Sequence, residues 1–161
     1  MNKLDLIMKK MEEIKYTDNT DSDFSKNYRL KSPEEVINDK NGVCWDQVEL
    51  ERFYFEKDNI NCTSYFIVEY DNKEFPTHTF MVVKDKNNYY WFEHSWEPYR
   101  GIHVYKSLND LLTDVKNKFC KNRDINRTLI YKYQKPQYGI SGEEFFNHCE
   151  NGIKIDLKEE L

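Results

Sequence analysis

Glycine and proline are scarce in this chain, with five and four residues among 161. Such scarcity excludes linker-rich, collagen-like and low-complexity sequences, which depend on residues that free or fix the backbone. Long apolar runs are missing as well, so no segment reads as a membrane-spanning helix. The start, Met1-Asn2-Lys3-Leu4-Asp5-Leu6, lacks the apolar core of a secretory signal. There is no CxxC pair. The four cysteines, Cys44, Cys62, Cys120 and Cys149, are widely spaced, which argues for free thiols over a disulfide framework and for the cytoplasm as compartment. A basic stripe is absent too: 24 Lys and Arg interleave with 29 Asp and Glu for a net charge of −5. Without a surface that tracks phosphates, nucleic acid is excluded as the expected partner, and so is a membrane.

What the chain does have is aromatic side chains: 12 Tyr, 10 Phe and 3 Trp. A mean hydropathy of −0.92 with 33% charged residues suggests a thin core, but each ring buries a large area. The length suffices for a single domain over residues 1–161.

Leu4, Ile7, Met8, Met11 and Ile14 recur at helical spacing, and a polar stretch from Thr17 to Asn27 reads as a surface loop. Ser32-Pro33-Glu34-Glu35 forms a capping box with proline at the first helical position, and Asn41-Gly42 marks a turn or C-cap soon after. A second helix is expected from Val43 or Cys44 to Lys57, with Cys44, Val48 and Phe55 on a mostly apolar stripe. Strands follow at Cys62–Tyr70, His78–Lys84, Tyr89–Trp96 and Ile102–Tyr105. Ser107 caps a helix reaching Phe119, Arg127–Tyr133 is another strand, and Ser141-Gly142-Glu143-Glu144 opens a last helix ending near Asn151-Gly152. Helices first and a mostly antiparallel sheet afterwards indicate the α+β class.

Three segments carry chemistry. In Gly42-Val43-Cys44-Trp45 a cysteine stands where a turn becomes a helix. Free amides and the positive dipole end there favour a thiolate, and the same amides suit an oxyanion. Alone, such a cysteine is more often a small buried apolar residue. In Thr77-His78-Thr79-Phe80 a histidine opens a strand, sharing a face with Phe80 and Val82. The bland reading is a core histidine bonded to a carbonyl. In Trp91-Phe92-Glu93-His94-Ser95-Trp96 an acid ends the next strand. With Asp85-Lys86 as a two-residue hairpin loop, Lys84 faces Asn87 and His78 falls opposite Glu93, whose carboxylate then holds one ring nitrogen. A three-residue loop would place His94 there instead, and a four-residue loop Ser95, leaving Glu93 diagonal.

Gly-x-Cys-Trp opening a helix, a strand-start histidine, and an acid on the neighbouring strand resemble the transglutaminase-like core of the papain-like superfamily, from Pro33 to Trp96. The resemblance implies a papain-like fold in which the nucleophile's helix packs on a mostly antiparallel sheet. It implies Cys44 as nucleophile, His78 as general base then acid, and Glu93 as orienting acid, acting on an amide or peptide bond of a peptide, protein or small amide through a thioester. The family's acid is usually Asp; Glu is one methylene longer, so it must sit farther back to hold the same ring. No cofactor or metal is expected, since His78, His94, His103 and a cysteine lack ligand spacing and no calcium-loop pattern occurs. Rival readings are a Cys/His/His peptidase with His94 in third place, an acetyl-transfer enzyme, and a catalytically silent binding module with an aromatic groove. Cys62, Cys120 and Cys149 are expected to be structural, and His103 to face away from Ile102 and Val104.

Overall fold

The computed structural model describes residues 2–17, 27–70 and 75–158. Most of the polar stretch expected as a surface loop, residues 18–26, lies outside them. Helix α1 (Lys3–Met11) is closed at its start by a capping box between Asn2 and Asp5 and buries Leu4, Ile7 and Met11. The expected periodicity runs past its end: Ile14 is buried from the loop that follows. Helix α2 (Pro33–Asp39) has the anticipated Ser32/Glu35 capping box. Its C-cap is not Gly42 but Lys40, in the left-handed region at φ 56°. Asn41-Gly42, read as a turn, forms strand β2, which pairs in parallel with β1 (Lys15–Tyr16). Gly42 is required for a steric reason: a Cβ there would stand 2.8 Å from the Cβ of Asp46.

Helix α3 (Cys44–Lys57) departs from the single apolar stripe that its sequence suggests. It is buried nearly all round, with Asp46, Gln47, Glu49, Glu51 and Arg52 inside along with Val48, Leu50 and Phe55. A helix enclosed this way must find partners for every polar side chain it takes out of water.

The main sheet comprises β3 (Cys62–Glu69), β4 (Thr77–Asp85), β5 (Asn88–Glu93), β6 (Gly101–Tyr105), β7 (Thr128–Tyr133) and β8 (Ile153–Lys154). Its order is β6-β5-β4-β3-β7-β8 and every neighbouring pair is antiparallel. Helices α4 (Leu108–Phe119) and α5 (Gly142–Glu150) complete the α+β architecture, five helices and a six-stranded sheet among the described residues, consistent with a transglutaminase-like fold. The sheet is covered on both faces. Met81, Val83 and Phe92 pack with α1 and α3, whereas Tyr65, Ile67, Phe80, Val82 and Trp91 pack with Leu111, Leu112, Val115 and Phe119 of α4. A third cluster joins Phe66 and Val68 to Phe145 and Cys149 of α5. Each fully buried large side chain of these clusters contributes roughly 1.5–3 kcal/mol by leaving water.

The β4–β5 hairpin corrects the expected register. Asp85 faces Asn88, so the loop is Lys86-Asn87, with Lys86 at φ 49° supplying the positive φ a tight hairpin needs. Moving the loop one residue along slides the strands by two, which keeps every side chain on its face. The last pair is Met81 with Phe92, and the ladder continued would set Phe80, not His78, against Glu93. Glu93 is therefore diagonal to His78. The strand also ends earlier than expected, at Glu93; His94, Ser95 and Trp96 turn away and a 3₁₀ turn follows at Glu97–Tyr99.

Candidate functional site

Cys44 is the first residue of α3. The first helical hydrogen bond runs from Gln47 N–H to the Val43 carbonyl at 2.9 Å, so the amides of Cys44, Trp45 and Asp46 precede the intrahelical ladder. Asp46, a turn into the helix, ties this corner down. Its Oδ2 accepts the Val43 N–H at 3.0 Å, while its Oδ1 accepts the Tyr28 hydroxyl at 2.6 Å and the Lys31 N–H at 3.0 Å. Burial and the adjacent Asp46 carboxylate push the Tyr28 hydroxyl far above its usual range, so it stays a donor.

The helix start lies beside the start of β4, where Trp45 Nε1–H donates to Thr77 Oγ1 at 3.2 Å. The next residue is His78. Its Nε2 bonds Glu93 Oε1 at 2.6 Å, and Cys44 lies near enough to act on the charge of the ring. Burial opposes the imidazolium, but the Glu93 carboxylate and Cys44 outweigh it and push His78 up to about 10. Cys44 and His78 keep 6% and 8% of their surface exposed, whereas Glu93 keeps 2%. All three are buried, Glu93 the most deeply.

Glu93 reaches across the diagonal because of its extra methylene. Neighbours on the diagonal lie about 7–8 Å apart, beyond a shorter acid in the same place. Four donors converge on the carboxylate: His78 at 2.6 Å and Trp91 Nε1–H at 3.2 Å on Oε1, the Ser95 hydroxyl at 3.3 Å and the Trp96 N–H at 3.1 Å on Oε2. The chain turn at His94–Trp96, which ends the strand early, is what brings the last two. Trp96 packs edge-on to the His78 ring at 5.0 Å between centroids.

His94 does not join this group. Its Nδ1 bonds Gln47 Oε1 at 2.7 Å, and Gln47 Nε2–H donates in turn to the Gly42 carbonyl at 2.9 Å. Burial and the nearby Arg100 push His94 down to about 4, so the ring is neutral and Nδ1 carries the donated proton. Gln47 and His94 brace the turn before Cys44 from below. Sequence reasoning overlooked Gln47; its signal was a polar residue on the Cys44 face of a helix expected to be apolar there.

His103 faces away from Ile102 and Val104, stacks on Trp91 at 4.5 Å and bonds the Tyr99 carbonyl at 2.6 Å. Among the described residues, no group of three His, Cys, Asp or Glu is placed to hold a metal ion. All four cysteines are free. Burial pushes the Cys62 thiol up to about 11 and Cys149 higher still, while Cys120 donates to the Thr128 hydroxyl at 3.3 Å. His148 bonds the Gln134 carbonyl at 2.7 Å, turned away from Cys149. Among the described residues, no helix is long and apolar enough to cross a membrane.

A cleft of about 670 Å³ opens beside Trp45 and Thr77, the chain neighbours of the thiol and the ring. Tyr28, Tyr70, Phe75 and Phe146 supply its aromatic walls. No match was found among curated proteins. A sequence profile described as a transglutaminase-like domain matches residues 3–131, most of the chain and every residue of the Cys44–His78–Glu93 group, and the chain therefore belongs to the transglutaminase-like domain family.

Proposed function

We propose that this protein is a cysteine-dependent hydrolase or acyl transferase acting on an amide or peptide bond. The observation that carries this reading is the His78 ring held by Glu93 through Nε2 at 2.6 Å, with Cys44 near enough to favour the ring's charged form. A carboxylate on Nε2 fixes the ring's orientation and leaves Nδ1 to exchange a proton with a thiol.

His78 takes the Cys44 proton, and the Glu93 carboxylate offsets the charge that the ring acquires. The thiolate attacks the substrate carbonyl, and the oxyanion forms beside the amides at the start of α3. As the tetrahedral species collapses, its C–N bond breaks and His78 gives its proton to the departing amine, leaving a thioester on Cys44. His78 then takes a proton from water or an acceptor amine, which attacks the thioester, and the thiolate is released. Water yields hydrolysis and an amine yields acyl transfer. The aromatic cleft beside Trp45 and Thr77 receives the peptide, protein or small amide that presents the carbonyl. Four unpaired thiols suit a reducing compartment, in keeping with action in the cytoplasm.

Labelling wild type, Cys44→Ala and His78→Ala with a panel of acyl-donor probes tests the reading. Labelling is expected on Cys44 in the wild type, absent in Cys44→Ala and strongly slowed in His78→Ala. Persistence of the label in Cys44→Ala would place the chemistry on another residue. Slow, equal iodoacetamide labelling of all four cysteines near neutral pH would instead favour a binding module.

A further inference from the structure

The cleft beside Trp45 and Thr77 has walls of two kinds, and together they favour one class of substrate side chain. One wall is helix α5. Glu143, Phe146, Asn147 and Glu150 line the cleft from positions i, i+3, i+4 and i+7, a single helix face with an acid at each end and a ring between. The rise of the helix sets the two acids roughly 10 Å apart along its axis. The start of α5 abuts the start of α3. A Cβ on Gly142 would stand 3.7 Å from the Trp45 ring, and Phe145 packs on that ring at 4.6 Å between centroids.

The other wall comes from the chain that leaves β3 and enters β4. Tyr70, Phe75 and Phe146 make a continuous run of rings, with centroids 6.0 Å apart at each step. Phe75 is 53% exposed, a large apolar side chain left in water at the cleft. The Tyr70 hydroxyl donates to Glu150 Oε2 at 2.5 Å, and the Tyr131 hydroxyl lies 3.2 Å from it. Burial and the Glu150 carboxylate push the Tyr70 hydroxyl up, so it stays a donor. Glu150 is thereby fixed among the rings, and its Oε1 accepts no hydrogen bond among the described residues.

Among the described residues, no Lys or Arg lines the cleft. Aromatic faces joined to a carboxylate disfavour anions and suit a cation with a flat, weakly hydrated head. The guanidinium of arginine has that form: it stacks on rings, and its fork of N–H groups meets a carboxylate. Elsewhere the chain seats its own cations on rings, Arg123 over Phe119 at 4.5 Å and Lys118 over Tyr99 at 5.3 Å.

We propose that this cleft is a specificity site for an arginine side chain of the acyl donor, with the guanidinium on the Tyr70, Phe75 and Phe146 rings and its charge against Glu150. The inference rests on the reading of Cys44 and His78 as the reacting pair. The cleft begins at Trp45 and Thr77, one residue from each, so the arginine belongs within a residue or two of the carbonyl that is attacked. The guanidinium does not react; it holds the substrate while the neighbouring amide does. Glu143, at the Trp45 end of α5, adds to the negative potential.

The test is binding, followed by NMR titration of the full chain with N-acetylarginine methylamide and its citrulline and norleucine counterparts. Citrulline keeps the shape of arginine without the charge, and norleucine keeps only an apolar stem. Arginine is expected to bind about tenfold or more tighter than either and to shift the Trp45 indole signal. Glu150→Gln can keep the Tyr70 bond but loses the charge, and is expected to weaken arginine binding about fivefold, against about twofold for Glu143→Gln. Asp110→Asn, in the separate groove beside α4, removes a charge of the same sign and is expected to leave the affinity unchanged. Equal binding of arginine and citrulline, tighter binding of norleucine, or no Trp45 shift at tens of millimolar ligand overturns the arginine site. A loss in Asp110→Asn equal to that in Glu150→Gln overturns local recognition, and a larger loss in Glu143→Gln than in Glu150→Gln overturns Glu150 as the partner. The titration needs no thiol and is repeated in Cys44→Ala. An inert Cys44 would defeat the proposed function and leave arginine binding standing, whereas a reactive Cys44 without arginine preference would defeat this inference alone.

Discussion

Helix α3 carries two buried polar assemblies on different faces, and they are built in opposite ways. Around Glu49 and Arg52 the charged groups are paired, although the buried Tyr133 hydroxyl beside them has no partner among the described residues. Arg52 Nε and Nη2 meet the two Glu49 oxygens at 2.9 and 3.2 Å, Nη2 also donates to the Ser64 hydroxyl at 2.6 Å, and Ser64 donates to the Tyr133 carbonyl at 2.9 Å. The Tyr138 hydroxyl closes the group on Glu49 at 3.2 Å. Although burial opposes its charge, the Glu49 carboxylate pushes the Arg52 guanidinium up, so it remains charged. Around Cys44, by contrast, the chain neighbours of the thiol and the ring line a cleft, and the Oε1 of buried Glu51 on the same helix has no partner among the described residues. One assembly joins α3 to β3, β7 and the segment after it. The other gathers the groups proposed to react at the start of the same helix. Buried polarity alone thus does not mark a reacting site; its place beside an opening does.

Removing a member from each assembly should separate chemistry from stability. Cys44→Ala is expected to lower turnover of any acyl donor by about 10⁴-fold or more. It should change the unfolding free energy by less than about 1 kcal/mol, since a small thiol is exchanged for a methyl. Equal losses in both readouts would mean that Cys44 is a packing residue. Arg52→Met should do the reverse: it strands Glu49 and is expected to cost about 3–5 kcal/mol in urea unfolding. The double variant Glu49→Leu/Arg52→Met should recover most of that loss. A double variant no better than the single would show that the pair is needed for more than its own neutralisation.

Glu93→Gln sharpens the contrast further. The amide keeps the shape and loses the charge, so turnover should fall by about 10²-fold and the His78 midpoint should drop from about 10 toward its ordinary value. A variant with wild-type rates would remove Glu93 from the reacting group.

The two histidines provide the smallest and most selective effect, read in the pH dependence of stability. His78 titrates higher in the folded than in the unfolded chain, so its contribution is complete below about pH 6.5 and lost as pH rises through about 10. His94 titrates lower, near 4. It favours the fold above about pH 6.5 and loses that contribution as pH falls toward about 4. Urea unfolding of His78→Gln should therefore lack part of the alkaline slope, and His94→Asn part of the acid slope. Slopes unchanged in both variants would assign the titrations to other groups.

Much of the fold was legible because local chemistry dictates it. The Ser32 and Ser141 capping boxes begin helices where their hydroxyls and glutamates say they should, and the β-branched and aromatic runs became strands within a residue or two. The places of the three candidate residues were legible in order: Cys44 at a helix start, His78 at a strand start and Glu93 at a strand end. The hairpin register was not, because a shift of two residues keeps the alternation of faces and leaves no mark on the pattern. Nor was the choice between Glu93 and His94. Adjacent residues on a strand face opposite ways, and which side holds His78 depends on how the sheet is enclosed.

The sequence by itself determined which segments become helices and strands and which three residues can supply a nucleophile, a proton carrier and an acid. Those properties follow from backbone preferences and functional groups that each residue carries anywhere. Only the tertiary structure decided that Glu93 holds His78 along a diagonal, that His94 braces Gln47, and that a helix with so many polar side chains is buried on almost every side. Those are properties of pairs of segments, set by sheet register and helix packing, and no single segment encodes them.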